Sequence, residues 1–132
     1  MRIAIIGATG LLGQHAARAA RARGHELHVI HRAASRLDAL ADLDYTASTA
    51  TLDDRDSLAR ALDGSDAVIN CAAYYPTVPR PWREDVAAAI AQMGNFYAAC
   101  AAHRLKKIVY LGGAIALRRN PTGAPGDETL EY

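Results

Sequence analysis

The chain has 132 residues, 51% hydrophobic and 22% charged, with a formal net charge of +1. This is the profile of one soluble globular domain, and the near-neutral charge gives no basic surface for nucleic acid. No apolar run approaches the roughly 20 residues of a membrane-crossing helix.

The first residues hold one arginine and run straight into a strand and a glycine turn, so no secretory leader is legible and a cytoplasmic location is expected. Cys71 and Cys100 form no CxxC or metal-ligand pattern and are expected as buried free thiols in a reducing compartment.

In chain order, Ile3 to Ile6 is a short β-branched run, as expected of a strand buried on both faces. Gly7 to Gly10 punctuate it. Leu11 to Arg23 predicts a helix with Leu12, Ala16, Ala19 and Ala20 on its packed side, and with Arg18, Arg21 and Arg23 as a solvated face. Gly24 stops it. Leu27, Val29 and Ile30 form a second strand ending at His31-Arg32, Ser35 to Ala41 suits a short helix, and Tyr45 to Leu52 is weakly strand-like.

Asp54 is placed to cap a helix from Arg55 to Leu62, which Gly64 ends. Asp66 to Asn70 is a fourth strand. Tyr74 to Trp82 carries three of the five prolines and reads as a loop, Glu84 to His103 as a long alanine-rich helix, and Lys107 to Leu111 as a fifth strand. Strands alternating with helices predict βαβ units and a parallel sheet with helices on both faces, a Rossmann-type α/β fold.

After Gly113 the turn signals Asn120-Pro121, Gly123 and Pro125-Gly126 make residues 112–132 an irregular segment. The chain is accordingly expected to be an N-terminal dinucleotide-binding domain, 1–132, whose sheet stops after about five strands and whose C-terminal part is missing.

Gly7-Ala8-Thr9-Gly10-Leu11-Leu12-Gly13 sets glycines at GxxGxxG between a predicted strand and a predicted helix. The first allows the tight turn, the second lets backbone approach a pyrophosphate, and the third lets helix pack closely on strand. The helix start then offers unpaired N–H groups and a positive dipole end to the phosphates.

An NAD site usually carries an acidic residue roughly 20 positions further on, to accept from the ribose 2′-hydroxyl. Here the stretch is His31-Arg32-Ala33-Ala34-Ser35-Arg36, with no acid before Asp38. Arg32 and Arg36, with Ser35 as a hydroxyl donor, suit a 2′-phosphate, so NADP is expected over the alternative, NAD.

These residues resemble the extended short-chain dehydrogenase/reductases, in particular their NAD-dependent epimerase/dehydratase branch acting on nucleotide sugars. The likeness runs the visible length. It includes the Gly7 to Gly13 turn, Gly24-His25 before the second strand and Arg32 after it. Leu52-Asp53 is similar to the family's aspartate motif beside the adenine ring, and Asn70-Cys71-Ala72-Ala73 to the strand-four motif along the cofactor. Asn95 matches a helix asparagine of the family, Lys107 to Tyr110 its fifth strand, and Asp127-Glu128 its loop beyond the active-site strand.

The resemblance implies a nicotinamide cofactor and a catalytic Ser/Thr followed by a Tyr-x-x-x-Lys pair. The sequence departs from that pattern. Gly113, preceded by Gly112, stands at the expected serine position, Ala89 stands at a further helix asparagine, and no Tyr-x-x-x-Lys occurs up to Tyr132. No catalytic residue is therefore expected within the chain, which alone should be inactive.

The full-length parent is expected to be an oxidoreductase or a nucleotide-sugar epimerase or dehydratase with a small-molecule substrate. The competing expectation is a non-catalytic dinucleotide-sensing regulator on the same fold. A homodimer is the oligomer considered, and neither nucleic acid nor membrane is expected as a partner. The five histidines show no metal-site spacing, so no metal is expected. Tyr74, Tyr75 and Trp82 are either stacking groups for a substrate ring or loop anchors.

Overall fold

The computed structural model describes residues 1–113 and 123. The elements are β1 (Arg2–Ile6), α1 (Leu11–Ala22), β2 (Glu26–His31), a single 3₁₀ turn (Asp38–Leu40), β3 (Thr46–Thr49), α2 (Arg55–Leu62), β4 (Ala67–Asn70), α3 (Trp82–Ala101) and β5 (Lys107–Tyr110). The five strands form one sheet in the order β3-β2-β1-β4-β5, and every neighbouring pair is parallel. Direction of travel through the sheet reverses between β1 and β4. In open α/β sheets such a switch point leaves a crevice at the carboxyl ends of the strands.

Alternation along β1 divides the core between the two faces. Ile3 and Ile5 join Ala17 and Ala20 of α1, Leu27, Val29 and Leu40. Ala4 and Ile6 join Leu58, Ala61 and Leu62 of α2 and Phe96, Ala99 and Cys100 of α3. Period-two side chains on a strand covered by helices on both faces produce this split. At the β5 edge Ile108, Val109, Tyr110 and Leu111 are all exposed.

Three local expectations are corrected. The packed face of α1 is Gly13, Ala17 and Ala20, not Leu12, Ala16 and Ala19. A Cβ on Gly13 would stand 2.1 Å from the Gly7 carbonyl oxygen, so the helix is turned to set its one missing side chain against the preceding turn, and Leu12 points to solvent.

The segment 35–41 makes only the 3₁₀ turn, with Leu40 fully buried beneath it. The arginines of α1 are not merely solvated. Arg18 donates to the Asp42 carboxylate at 2.7 Å and to the Ala39 carbonyl at 2.8 Å, and Arg21 reaches Asp44 at 3.2 Å. They tie α1 to the irregular connection between β2 and β3.

The cap of α2 forms as expected, with the Asp54 carboxylate accepting from the Asp56 and Ser57 amides at 3.0 Å. Those donors hold the exposed Asp54 carboxyl below its ordinary pKa. The long helix α3 begins at Trp82, two residues before the expected Glu84, because Pro81 has the fixed φ and lacks the N–H that suit a helix entry.

Candidate functional site

A cavity of about 530 Å³ opens at the carboxyl ends of β1, β2, β3 and β4. Its walls come from four strand tips. Gly7, Thr9 and Gly10 line it from the end of β1, and His31, Arg32 and Ser35 from the end of β2. Ala50 to Asp53 follow β3, and Cys71 to Tyr75 follow β4. The expected positions Gly7, Thr9, Gly10, Arg32, Ser35, Leu52, Asp53, Cys71, Ala72 and Ala73 are thus brought to one space.

The glycine turn is built by close contact. Gly7 has φ +77°, and a Cβ there would lie 3.1 Å from both the Cβ and the amide nitrogen of Ala72. The Gly10 amide donates to the Gly7 carbonyl at 3.0 Å, and the Gln14 amide returns to the Gly10 carbonyl at 3.0 Å. Gly10 is the N-cap of α1 and gives no side-chain cap, and no acidic residue lies in the first turn. The start of α1 therefore has neither a capping side chain nor a carboxylate to compete with an anion. Leu11 and Leu12 expose their side chains and do not line the cavity; what they bring to the turn is backbone N–H.

At the β2 tip the arginines separate. Arg32 lines the cavity; its carbonyl accepts from the Ser35 amide at 2.9 Å, while its guanidinium makes no hydrogen bond or ion pair among the described residues. Arg36 does not line it, and its guanidinium is paired with Asp38 at 2.9 Å. Only Arg32 of the expected pair borders the space, with Ser35 beside it.

Past β3, Asn95 of α3 does not line the cavity. Its Nδ2 donates to the Leu52 carbonyl at 3.0 Å, so it fixes the backbone of the loop that does. The Asp53 carboxylate accepts from Thr51 Oγ1 at 3.2 Å and from Gln92 Nε2 at 2.9 Å. Thr51 and Gln92 also line the cavity. Sequence reasoning missed both, because nothing local marks them. Gln92 stands three residues before Asn95 on one helix face, which is the signal that was available.

At the end of β4, Asn70 is fully buried. Its Oδ1 accepts from the Ala72 amide at 2.9 Å, and its Nδ2 has no partner among the described residues. Cys71 borders the cavity with its thiol pushed up by burial, and the buried Cys100 thiol is pushed up to about 11 for the same reason. Both are free.

The Tyr74 hydroxyl donates to Asp85 Oδ1 at 2.6 Å, pinning the loop to the first turn of α3, and this bond raises its pKa. Tyr74 is thus a loop anchor that also borders the cavity. Tyr75 lines it while strongly exposed, and Trp82 is exposed under the Arg83 guanidinium. Among the described residues no group of three or more His, Cys, Asp or Glu is placed to hold a metal.

Gly112 and Gly113 follow β5. The expectations that fall on Asn120-Pro121, Pro125-Gly126, Asp127-Glu128 and the rest of the 112–132 segment, Gly112, Gly113 and Gly123 apart, lie outside the described residues.

The open parallel sheet, the glycine turn at the switch point and the cavity beside it define a dinucleotide-type α/β domain. The chain belongs to the NAD-dependent epimerase/dehydratase family, whose model matches residues 3–132. Among solved structures it is similar to a nucleoside-diphosphate-sugar epimerase from Pseudomonas aeruginosa. That structure is 45% identical, covers 100% of this chain and 40% of its own, and has a TM-score of 0.86.

The Bordetella bronchiseptica enzyme WbmG, solved with NAD and UDP, is 27% identical over 92% of this chain and 40% of its own, with a TM-score of 0.74. A UDP-N-acetylglucosamine 4-epimerase from Bacillus cereus, 23% identical over 98% of this chain and 44% of its own at a TM-score of 0.76, shares the fold. No curated protein sequence matches the chain. The chain spans about two fifths of the length of these solved structures.

Proposed function

We propose that this chain is the dinucleotide-holding part, residues 1–132, of an NAD(P)-dependent epimerase, dehydratase or oxidoreductase that acts on a nucleotide sugar, with NADP preferred to NAD. The observation that carries the reading is the single cavity in which the uncapped start of α1, the Arg32–Ser35 segment and the loops after β3 and β4 meet. Gly7, Gly10 and the amides of Leu11, Leu12 and Gly13 hold the pyrophosphate. The structure solved with NAD and UDP supports a nicotinamide dinucleotide and a nucleotide-sugar substrate class.

The preference for NADP rests on Arg32, which is free to pair with a 2′-phosphate where an NAD site would place a carboxylate. When bound, the nicotinamide supplies hydride exchange with a substrate carbon that bears oxygen. The chain's own residues bind and orient the dinucleotide, and no residue of 1–113 is assigned the proton transfer. Calorimetric titration of the chain with NADPH and NADH tests the reading. Binding of NADPH with an affinity that Gly10→Asp abolishes is expected, because a carboxylate at the start of α1 repels phosphate. Equal heats from the two proteins overturn it.

One observation favours a second reading. Gly112-Gly113 leaves no hydroxyl at the family's serine position, as a non-catalytic dinucleotide sensor would show. A Tyr-x-x-x-Lys pair in the protein beyond residue 132 would exclude it.

A further inference from the structure

His31 ends β2 on the wall of the cavity, next to Arg32 and Ser35. Its Nδ1 stands 3.0 Å from the Arg32 carbonyl oxygen. A carbonyl only accepts, so Nδ1 carries a proton in either charge state of the ring. The other nitrogen, Nε2, makes no hydrogen bond among the described residues. In the neutral ring Nε2 is a bare acceptor, and in the imidazolium it is a donor.

The surroundings leave that choice to a ligand. Thr49, the register partner of His31 in β3, and Gly7, which follows β1, carry no charge. His15 of α1 is exposed and does not line the cavity. The remaining charged or titratable groups are Arg32 on the same tip, the Arg36–Asp38 pair that follows it, and Asp53, Cys71 and two tyrosines elsewhere on the wall. A guanidinium keeps its charge throughout. Carboxylates change charge below the range of an imidazole, and thiols and phenols above it.

We propose that His31 makes the site proton-linked: a dinucleotide with a 2′-phosphate takes up one proton on binding, held between Nε2 and a phosphate oxygen. The inference rests on the dinucleotide reading above and adds to it a coupling between cofactor choice and pH. A dianionic phosphate has acceptors only, so it opposes a neutral Nε2 acceptor to acceptor. One proton between them makes a charge-assisted hydrogen bond instead. A phosphate monoester gives up its second proton near about pH 6, and an imidazole changes charge between about pH 5 and 8, so above neutrality the separate partners lack that proton and solvent supplies it. Arg32 gives the phosphate a charge that pH does not alter, and His31 gives one that pH sets. Because binding consumes a proton, the preference for NADPH over NADH weakens as pH rises.

The test is calorimetric titration of the chain at about pH 7.5 in two phosphate-free buffers of different ionisation enthalpy, chosen so that both partners start largely unprotonated. The difference in heat counts protons. NADPH should take up close to one, and NADH, which lacks the 2′-phosphate, none. Between pH 7 and 8.5 the ratio of NADPH to NADH affinity should fall by up to about tenfold per pH unit. In His31→Gln, which offers a donor that does not titrate, the NADPH uptake should vanish and the ratio become flat with pH. His31→Lys, charged throughout this range, should keep the NADPH preference and also show no uptake.

An unaltered chain that binds NADPH without proton uptake overturns the inference and leaves the dinucleotide reading standing; this arm needs no variant. Uptake that persists in His31→Gln or His31→Lys assigns the proton to another group and overturns it, and so does equal uptake with NADH. If the unaltered chain binds neither dinucleotide, the reading itself fails and the inference goes with it.

Discussion

Two glycines and one arginine carry the site at the scale of single residues. A methyl group on Gly13 would overlap the Gly7 carbonyl oxygen, since its Cβ would stand 2.1 Å away. Backbone lies on both sides, so no side chain can yield. Gly13→Ala should therefore lower stability by about 1–3 kcal/mol, the usual range for overpacking, and should also weaken NADPH binding because α1 must move off the turn. Thermal unfolding and titration of the same sample check both effects.

At Gly7 the constraint is conformational as well as steric, because φ is +77° and a Cβ would lie 3.1 Å from Ala72. Gly7→Ala should destabilise by about 1–2 kcal/mol through the left-handed backbone, with the Ala72 contact adding to it. For Arg32 the expected change is in ligand choice. Arg32→Glu should reverse the preference from NADPH to NADH while leaving the unfolding curve in place, as the guanidinium makes no hydrogen bond or ion pair among the described residues. An unchanged ratio of affinities would show that Arg32 does not meet the 2′-phosphate.

At the scale of elements, the amino-terminal half of the sheet contains a row of three polar side chains. His28 of β2 and Thr46 of β3 are register partners, and the side chain of Arg2 of β1, two positions off in register, reaches His28. The His28 ring nitrogen Nδ1 is 2.7 Å from Thr46 Oγ1 and 3.1 Å from the Arg2 guanidinium. His28 is buried, and its pKa is held below 6.5 first by loss of solvent and then by the Arg2 charge, opposed by a hydrogen bond to the Ala61 backbone. Because Arg2 can only donate, Nδ1 is the acceptor and the ring is neutral.

The sign follows from linkage. The unfolded chain takes up this proton at higher pH than the folded one, so the contribution of His28 is complete above pH 6.5 and is lost as pH falls through the lowered folded value. The thermal midpoint should decline from about pH 6.5 toward 5, where aspartates with ordinary values have yet to titrate. His28→Asn should flatten that part of the profile. An equal decline in the variant would assign it to other groups. The carboxyls of Asp54 and Asp66, both held below 3.8, act in a separate and more acidic window.

For the whole molecule, the cavity is assembled from four strand tips and a helix, so a ligand that bridges them stabilises the folded state as a unit. NADPH at a hundredfold excess over its Kd should add about 2.7 kcal/mol to the stability of the chain, visible as a higher thermal midpoint. NADH at the same concentration should add less if Arg32 sets the preference.

What was legible in the sequence has local physical causes. The strand runs, the GxxGxxG turn, the Asp54 cap and the parallel α/β class follow from side-chain period, backbone freedom and hydrogen bonding over a few residues. The epimerase/dehydratase family was legible only as a resemblance of motifs, and the match over residues 3–132 shows it.

What only the tertiary structure decided involves residues far apart in the chain. The face that α1 buries is set by the contact of Gly13 with Gly7, which helical periodicity cannot foresee. The ion pairs of Arg18 and Arg21 depend on where the connection after β2 folds back. Arg32 and Arg36 look alike in the sequence, and only their surroundings separate an arginine bordering the cavity from one already neutralised by Asp38. Gln92 meets Asp53 because parallel crossovers lay α3 beside the loop after β3. The sequence by itself determined the turn and the class of fold, since both are written in neighbouring residues; the cavity exists only where four separate strand ends converge.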